Sequence, residues 1–183
     1  GSFKPIQCGH LIIANHVANN TDLKQVWFVV SSQNPVKPAS SLLDEYNRLH
    51  MIKSAIDGEN KLRASSVEFK LPKPSYTVDT LAYLKEKYPE NRFSLIMGSD
   101  GFQNLEKWKN YTVIIKNHPI YVYERPGFPV KKIPGTEIII LSAPLLEISS
   151  TRIRDMVREK KSIRFLVPDI VREEIESNGY YRS

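Results

Sequence analysis

Apolar positions recur along the chain in two alternating patterns, one typical of buried strands and the other of helices. Short apolar runs rich in β-branched residues, such as residues 26–30, predict buried strands. Between these runs apolar residues fall three or four positions apart, as Val78, Leu81 and Leu84 do, and this spacing predicts helices. The predicted strands cover residues 26–30, 62–69, 93–97, 120–123 and 137–141; the predicted helices cover residues 11–17, 41–57, 77–88, a short segment containing Trp108, 150–160 and 168–177.

This alternation predicts an α/β fold, a single-domain Rossmann-like protein whose mostly parallel sheet has helices on both faces. The 183 residues suit one domain that spans residues 1–183. In such folds ligands bind beyond the carboxyl ends of the strands, where helix N-termini face anions. No apolar run approaches the roughly 18–20 residues of a membrane span, and no segment resembles a signal peptide, so we expect no membrane partner.

The charge of the chain favours an anionic ligand. Its formal net charge is +6, from 26 Lys and Arg against 20 Asp and Glu, and the excess is concentrated in residues 152–164. Such a cluster can face nucleotide phosphates or a nucleic-acid backbone, or it can be a solvated helix face. The cluster contains no interleaved aromatic residue, which argues against a nucleic-acid partner. Cys8 is the only cysteine, so no internal disulfide forms and we expect a reducing compartment, the cytoplasm.

Residues 1–10 contain the first candidate for phosphate chemistry. Gly9 and His10 open an apolar helix, and the free amides of a helix N-terminus face anions. Glycine allows the backbone to approach a phosphate closely, and a histidine can donate a hydrogen bond to a phosphoryl oxygen as that oxygen gains charge. Taken alone, a histidine at a helix start is more often merely solvated.

Residues 148–154 contain the second candidate. Ser149 or Ser150 is predicted to cap a helix after the strand at 137–141, and Arg154 lies one turn into that helix. The exposed amides of such a helix form an anion site. Taken alone, this segment also fits an ordinary N-cap beside surface arginines.

Together the two segments resemble the nucleotidylyltransferase superfamily. Its hallmarks are a Gly-x-Phe-x-Pro-x-(His/Thr)-x-Gly-His loop and an Ile-Ser-Ser-Thr-x-x-Arg helix start, here at residues 1–10 and 148–154. Within it the chain is similar to the bacterial nicotinate-mononucleotide adenylyltransferase family over essentially its whole length. Further points of resemblance are residues 34–37, 74–77, 98–100, Trp108 and 125–127.

The resemblance implies roles for individual residues. His10 is implied to be catalytic, because it would contact the α-phosphate of ATP and stabilise the transition state. Gly98 and Asp100 are implied to contact the ribose or the adenine of ATP. The indole of Trp108 would stack on the nicotinate ring. The implied ATP- and phosphate-binding residues are Gly1, Ser2, Phe3, Gln7, Gly9, His10, Gly98, Asp100, Ile148, Ser149, Ser150 and Arg154; the implied mononucleotide-binding residues are Lys37, Tyr76, Thr77, Trp108 and Lys109.

Several of these residues have plain structural alternatives. Trp108 can anchor the packing of a short helix, Asp100 can cap a helix, and Lys37 can be a solvated loop cation. Tyr76 and Thr77 can simply start a helix. The order of the motifs along the chain, more than any one residue, favours the functional interpretation.

The reaction implied by the resemblance joins AMP to nicotinate mononucleotide. The 5′-phosphate of the mononucleotide attacks the α-phosphorus of ATP and pyrophosphate leaves, which gives deamido-NAD. Because a phosphate nucleophile is already ionised at neutral pH, no general base is needed. Mg²⁺ enters with ATP and bridges its phosphates. No metal site of the protein itself is predicted, because His16, His50 and His118 show no ligand spacing.

The chain departs from the family pattern at a few positions. Gln7 stands where that family has His and its sister families have Thr, and Lys4 stands where Asn or Asp is usual; Ser32 and Gly101 replace Pro and Asn. A glutamine amide donates hydrogen bonds but carries no positive charge. A catalytically weakened nucleotide-binding homologue is therefore one alternative. A separate alternative is a sister enzyme such as a phosphopantetheine adenylyltransferase. The resemblance also leads us to expect a short apolar strand, or a segment in its place, before Gly1, and it leaves open a homo-oligomer.

Overall fold

A computed structural model describes residues 1–32 and 43–183. The chain forms two compact units, Gly1–Pro74 with Pro144–Ser183 as unit 1 and Ser75–Ala143 as unit 2. In chain order the elements are α1 (Cys8–Asn20), β1 (Val26–Val29), α2 (Glu45–Ala55), β2 (Leu62–Ser65), α3 (Thr77–Lys87), β3 (Leu95–Gly98), α4 (Ser99–Gln103), α5 (Tyr111–Asn117), β4 (Ile120–Tyr123), β5 (Ile138–Leu141), α6 (Ser150–Arg158) and α7 (Asp169–Asn178).

Unit 1 contains a parallel pair of strands flanked by helices. β1 pairs with β2 so that Val26 lies opposite Leu62. Along β1 the side chains of Val26 and Phe28 are buried, the alternation expected of a strand packed on one face. Gly1 continues the pairing beside the end of β1, because its nitrogen donates to the carbonyl of Val29 at 2.7 Å. This places the first residues of the chain at the carboxyl end of β1.

Unit 2 contains three parallel strands in the order β3-β4-β5. Gly98, Tyr123 and Leu141 lie opposite one another at their carboxyl ends. The strands pack on a buried apolar cluster, against which the half-buried Trp108 also packs. The cluster consists of Met97, Phe102, Leu105, Ile120, Val122 and Ile133.

The predicted α/β class with parallel strands is confirmed, and the helices and strands mostly follow the predicted segments. β4 matches its prediction at both ends, and β1, β3 and β5 differ by one or two residues. The single domain over residues 1–183 stays a prediction. Among the described residues, no helix has the length and apolar character that a membrane crossing requires.

The structure corrects the prediction at four places in particular. The strand predicted at 62–69 ends at Ser65, because Val67–Lys70 winds into a 3-10 turn. The helix predicted at 41–57 begins at Glu45 within the described residues, because the carboxylate of Asp44 accepts from the amide of Tyr46 and caps it there; residues 41 and 42 lie outside the described residues. Trp108 was predicted inside a short helix, but it lies in extended backbone after a 3-10 turn. The helix α5 was not predicted; it starts after Asn110, whose backbone has the left-handed conformation.

Candidate active site

The start of α1 is organised by a reciprocal cap that fixes the ring of His10. Gln7 is the N-cap residue, and its side-chain oxygen accepts from the amide of Gly9. In return the backbone amide of Gln7 donates to Nδ1 of His10 at 3.2 Å. Because Nδ1 accepts this bond, the proton of the neutral imidazole lies on Nε2. His10 is therefore held with Nε2–H as its donor, in edge contact with the ring of Phe3 at 5.2 Å between centroids.

Gly9 leaves room for the side chain of Gln7. A Cβ atom added at Gly9 would lie 2.6 Å from the side-chain oxygen of Gln7, closer than any real contact of this kind. Gln7 itself is buried, and its amide nitrogen donates to the carbonyl of Ile148 at 2.7 Å. Both ends of this side chain thus have partners within unit 1. The predicted contact of Gln7 with a phosphate stays a prediction.

The start of α6 lies against the N-terminal loop, residues 1–7. Ser149 is the N-cap, since its hydroxyl accepts from the amide of Arg152 at 3.0 Å. The hydroxyl of Ser150 instead donates to the carbonyl of Pro5 at 3.0 Å. Arg154 donates to the carbonyl of Lys4 at 2.7 Å. Segments about 140 residues apart in sequence are thereby joined, and unit 1 brings the two predicted phosphate motifs together.

Arg48 supports the same loop, and sequence reasoning missed it. Its guanidinium is 1% exposed and donates to three carbonyls: Ser2 at 2.6 Å, Ser31 at 2.8 Å and Leu43 at 3.1 Å. Burial lowers the pKa of this guanidinium below its ordinary value. The signal in the sequence was a charged residue four positions before Ile52, on the apolar face of the predicted helix.

Gly98 and Asp100 lie at the carboxyl end of β3 in unit 2. Asp100 pairs with Arg125, with 3.2 Å between Oδ2 and Nη1, and the amide of Arg125 donates to the hydroxyl of Ser99 at 2.8 Å. A Cβ added at Gly98 would lie 3.0 Å from the ring of Tyr123 and closer still to Asp100. Arg125 lies two residues after the end of β4 and was not predicted as a site residue, although residues 125–127 were part of the resemblance.

Three of the predicted mononucleotide residues lie together at the start of α3 in unit 2. Tyr76 is the N-cap residue and Thr77 the first residue of the helix, where backbone amides have no partner within the helix. The ammonium of Lys109 lies 4.6 Å from the centroid of the Tyr76 ring and 3.7 Å from the carboxylate of Asp79. Trp108 precedes Lys109 and combines apolar packing with partial exposure. Lys37 and the motif at 34–37 lie outside the described residues.

The chain matches known proteins along almost its whole length. Residues 1–156 match the model of the family described as cytidylyltransferase-like. The chain is 49% identical over 185 residues to a probable nicotinate-nucleotide adenylyltransferase of Flavobacterium psychrophilum, covering 100% of this chain and 96% of the relative. It is 50% identical over 182 residues to a protein of that name from Cytophaga hutchinsonii, covering 99% and 95% of the two chains.

A solved structure shares the fold. The nicotinic acid mononucleotide adenylyltransferase of Plasmodium falciparum, complexed with NaAD, superposes with a TM-score of 0.82 at 21% identity. The match covers 99% of this chain and 94% of that chain. At this level of identity the likeness concerns the fold alone.

The parallel strands and their helices define the chain as an α/β protein in which two helix N-termini meet at a glycine-bearing loop. In α/β proteins, phosphates commonly bind at helix N-termini of this kind. The chain belongs to the cytidylyltransferase-like family, and within it to the nicotinate-nucleotide adenylyltransferases. The family predicted from residues 1–10 and 148–154 is thus confirmed.

Proposed function

We propose that the protein transfers the AMP unit of ATP to the 5′-phosphate of nicotinate mononucleotide, forming deamido-NAD and pyrophosphate in NAD biosynthesis. The observation that carries the proposal is the junction in unit 1, where the start of α1 with an oriented His10 meets the start of α6. Nε2–H of His10 donates to the α-phosphate as negative charge grows on it. This additional charge develops only as the transition state forms, so the hydrogen bond stabilises the transition state more than the bound substrate.

The triphosphate is held by the N-terminal loop and by the start of α6. The first turns of α1 and α6 carry the positive ends of two helix dipoles, which attract the phosphate charge. Arg154 contributes a permanent charge while its bond to the carbonyl of Lys4 fixes its position. The remaining proposed phosphate residues are Gly1, Ser2, Phe3, Ile148, Ser149 and Ser150; both ends of the Gln7 side chain already bond protein groups.

ATP enters as its magnesium complex. Among residues 1–32 and 43–183, no three His, Cys, Asp or Glu side chains form a group that could hold a metal ion. Phosphate oxygens are preferred ligands of Mg²⁺, which is commonly bound through substrate phosphates with few protein ligands. We therefore propose that the ion is carried by the phosphates and neutralises their charge.

Unit 2 supplies the groups for the pyridine ring and the sugar. The exposed part of Trp108 offers a flat surface for the nicotinate ring, and the amides near Thr77, with Lys109, receive its carboxylate. Asp100 accepts from vicinal hydroxyls of a ribose. Tyr76 and Lys37 complete the proposed mononucleotide residues. The substrates are small molecules, and the single cysteine fits the reducing cytoplasm as the proposed compartment.

The acceptor preference follows from these groups. We expect a higher kcat/KM for nicotinate mononucleotide than for nicotinamide mononucleotide, because amide donors and a lysine match a carboxylate better than a neutral amide. Pyrophosphate release with ATP and Mg²⁺ measures this, with phosphopantetheine as the third acceptor. A preference for the amide would contradict the proposed carboxylate contacts, and a preference for phosphopantetheine would replace the proposed function with that of the sister enzyme.

Trp108→Ala is expected to weaken mononucleotide binding while the KM for ATP changes little. Ring stacking contributes on the order of 1 kcal/mol beyond area burial, and so KM for the mononucleotide should rise at least about fivefold. In the Trp27→Phe variant Trp108 is the remaining tryptophan, and adding nicotinate mononucleotide should quench its fluorescence. Trp27→Phe is also the matched control for turnover. An unchanged mononucleotide KM in Trp108→Ala would assign Trp108 to packing alone.

A further inference from the structure

Gln7 makes a bridge that the family pattern at this position does not explain. Its oxygen accepts from the amide of Gly9 in the first turn of α1, and its nitrogen donates to the carbonyl of Ile148 just before α6. The side chain is only 4% exposed. The oxygen of the Gln7 amide occupies space that a side chain at position 9 would need, because a Cβ added at Gly9 would lie 2.6 Å from this oxygen. The surroundings are thus shaped to hold both ends of this amide.

The bridge connects the two helix starts on which the proposed phosphate site depends. Two further bonds run beside it, from Ser150 to the carbonyl of Pro5 and from Arg154 to the carbonyl of Lys4. Those two bonds leave α1 itself untouched, whereas the Gln7 bridge ends on its first turn. The backbone amide of Gln7 also donates to Nδ1 of His10, so the position of Gln7 determines the direction of the His10 donor.

We propose that Gln7 is a positioning residue, which holds the first turn of α1 and the His10 ring at a fixed place relative to the start of α6. It acts through the backbone and through His10, and its amide is an adapted part of this site. This inference rests on the proposed function. If Gln7 has this role, the lack of a histidine at position 7 no longer indicates a weakened homologue, because the neutral amide of Gln7 positions the two helix starts instead of binding phosphate.

The bridge needs one acceptor and one donor, and this requirement gives a distinctive test. A neutral imidazole at position 7 has one acceptor nitrogen and one N–H, and can replace the amide at both ends. An imidazolium has two donors and no acceptor, so the bond from the amide of Gly9 is lost on protonation. A residue that contacts phosphate would behave in the opposite way, because the imidazolium binds phosphate better than the neutral ring.

The first experiment compares kcat of Gln7→His with that of the parent from pH 8 to pH 5.5, at saturating ATP, Mg²⁺ and nicotinate mononucleotide. We expect the ratio of variant to parent to be within about threefold of one at pH 8 and to fall by up to about tenfold at pH 5.5, since a histidine titrates near pH 6.5. The ionisable groups on the neighbouring segments, namely Lys4, Cys8, His10 and Arg154, are present in both proteins, so the ratio reports what the imidazole at position 7 adds. Gln25→His, on the exposed surface of unit 1, is the matched control.

A ratio that rises as the pH falls overturns the proposal and returns Gln7 to a direct phosphate contact. If the parent itself forms no deamido-NAD, the proposed function fails, and the bridge is then judged by the second measurement.

The second measurement is hydrogen exchange at the amide of Gly9 in the ligand-free protein. We expect this amide to exchange slowly in the parent and at least about tenfold faster in Gln7→Leu, which retains the bulk but has no acceptor. Thermal melting checks that the variants are folded. If neither variant folds, slow exchange at the amide of Gly9 in the parent protein supports the bridge. Fast exchange in the parent, or equal exchange in a folded Gln7→Leu, would show that the bridge is not formed.

Discussion

Replacing His10 with alanine is expected to lower kcat by about 10²–10³-fold, because one well-placed donor to transition-state charge contributes this much. The ring of His10 is fixed by the backbone amide of Gln7, so its Nε2–H is oriented before the substrate arrives. Such a donor strengthens as charge develops on the α-phosphoryl oxygens and contributes little to the ground state. We therefore expect the KM for ATP to change by less than about threefold.

Steady-state kinetics of His10→Ala against the parent measures this effect. His16→Ala is the matched control, since His16 lies six residues further along α1 and bonds only Asn20 among the contacts described for it. Turnover of the control should remain within about twofold of the parent. A large rise in the KM for ATP with an unchanged kcat in His10→Ala would show that His10 binds the ground state, contrary to the proposed role.

Replacing Arg48 with methionine is expected to lower the free energy of unfolding of unit 1 by about 2–4 kcal/mol. Three partly buried carbonyls lose their donor, and each unsatisfied group costs roughly 1–3 kcal/mol, part of which water recovers. Arg48→Lys should recover little, because one ammonium cannot span three carbonyls as the planar guanidinium does. The N-terminal loop loses its bond at Ser2, so ATP binding should weaken in both variants.

Urea unfolding measures this stability in a Trp108→Phe background, where Trp27 on β1 is the remaining tryptophan and reports on unit 1. Lys53→Met, an exposed cation on the same helix, is the matched control and should change stability by less than about 0.5 kcal/mol. Equal stabilities for Arg48→Met and Lys53→Met would mean that the carbonyl bonds of Arg48 contribute nothing.

Sequence patterns predicted the parts of the fold that depend on local burial. β4 was predicted at both ends because Ile120–Tyr123 is apolar throughout, as a central parallel strand requires. β2 was predicted too long because Val67 and Phe69 have strand propensity, yet residues 67–70 form a 3-10 turn. α5 escaped prediction because its β-branched residues favour a strand, and its start depends on the left-handed conformation of Asn110.

The sequence motifs predicted the members of the candidate site, which stay predictions, and gave no sign of the contacts that support those residues. His10, Ser149 and Arg154 follow motifs whose order is visible in the sequence. The bridge of Gln7 could not be predicted, because its partner Ile148 is 141 positions away and contributes only a backbone carbonyl. The same holds for Arg48, whose acceptors are carbonyls of any residue type. Backbone partners leave no mark on the side-chain pattern.

The central claim is the transfer of AMP to the phosphate of nicotinate mononucleotide. Its most direct test follows the label from ATP carrying ³²P at the α-position, with Mg²⁺ and nicotinate mononucleotide, by chromatography and mass spectrometry of the products. We expect the label in a dinucleotide with the mass of deamido-NAD, formed in equal amount with unlabelled pyrophosphate, and no labelled dinucleotide when the ³²P is at the γ-position. Label recovered only as free AMP, or remaining in ATP, would contradict the account.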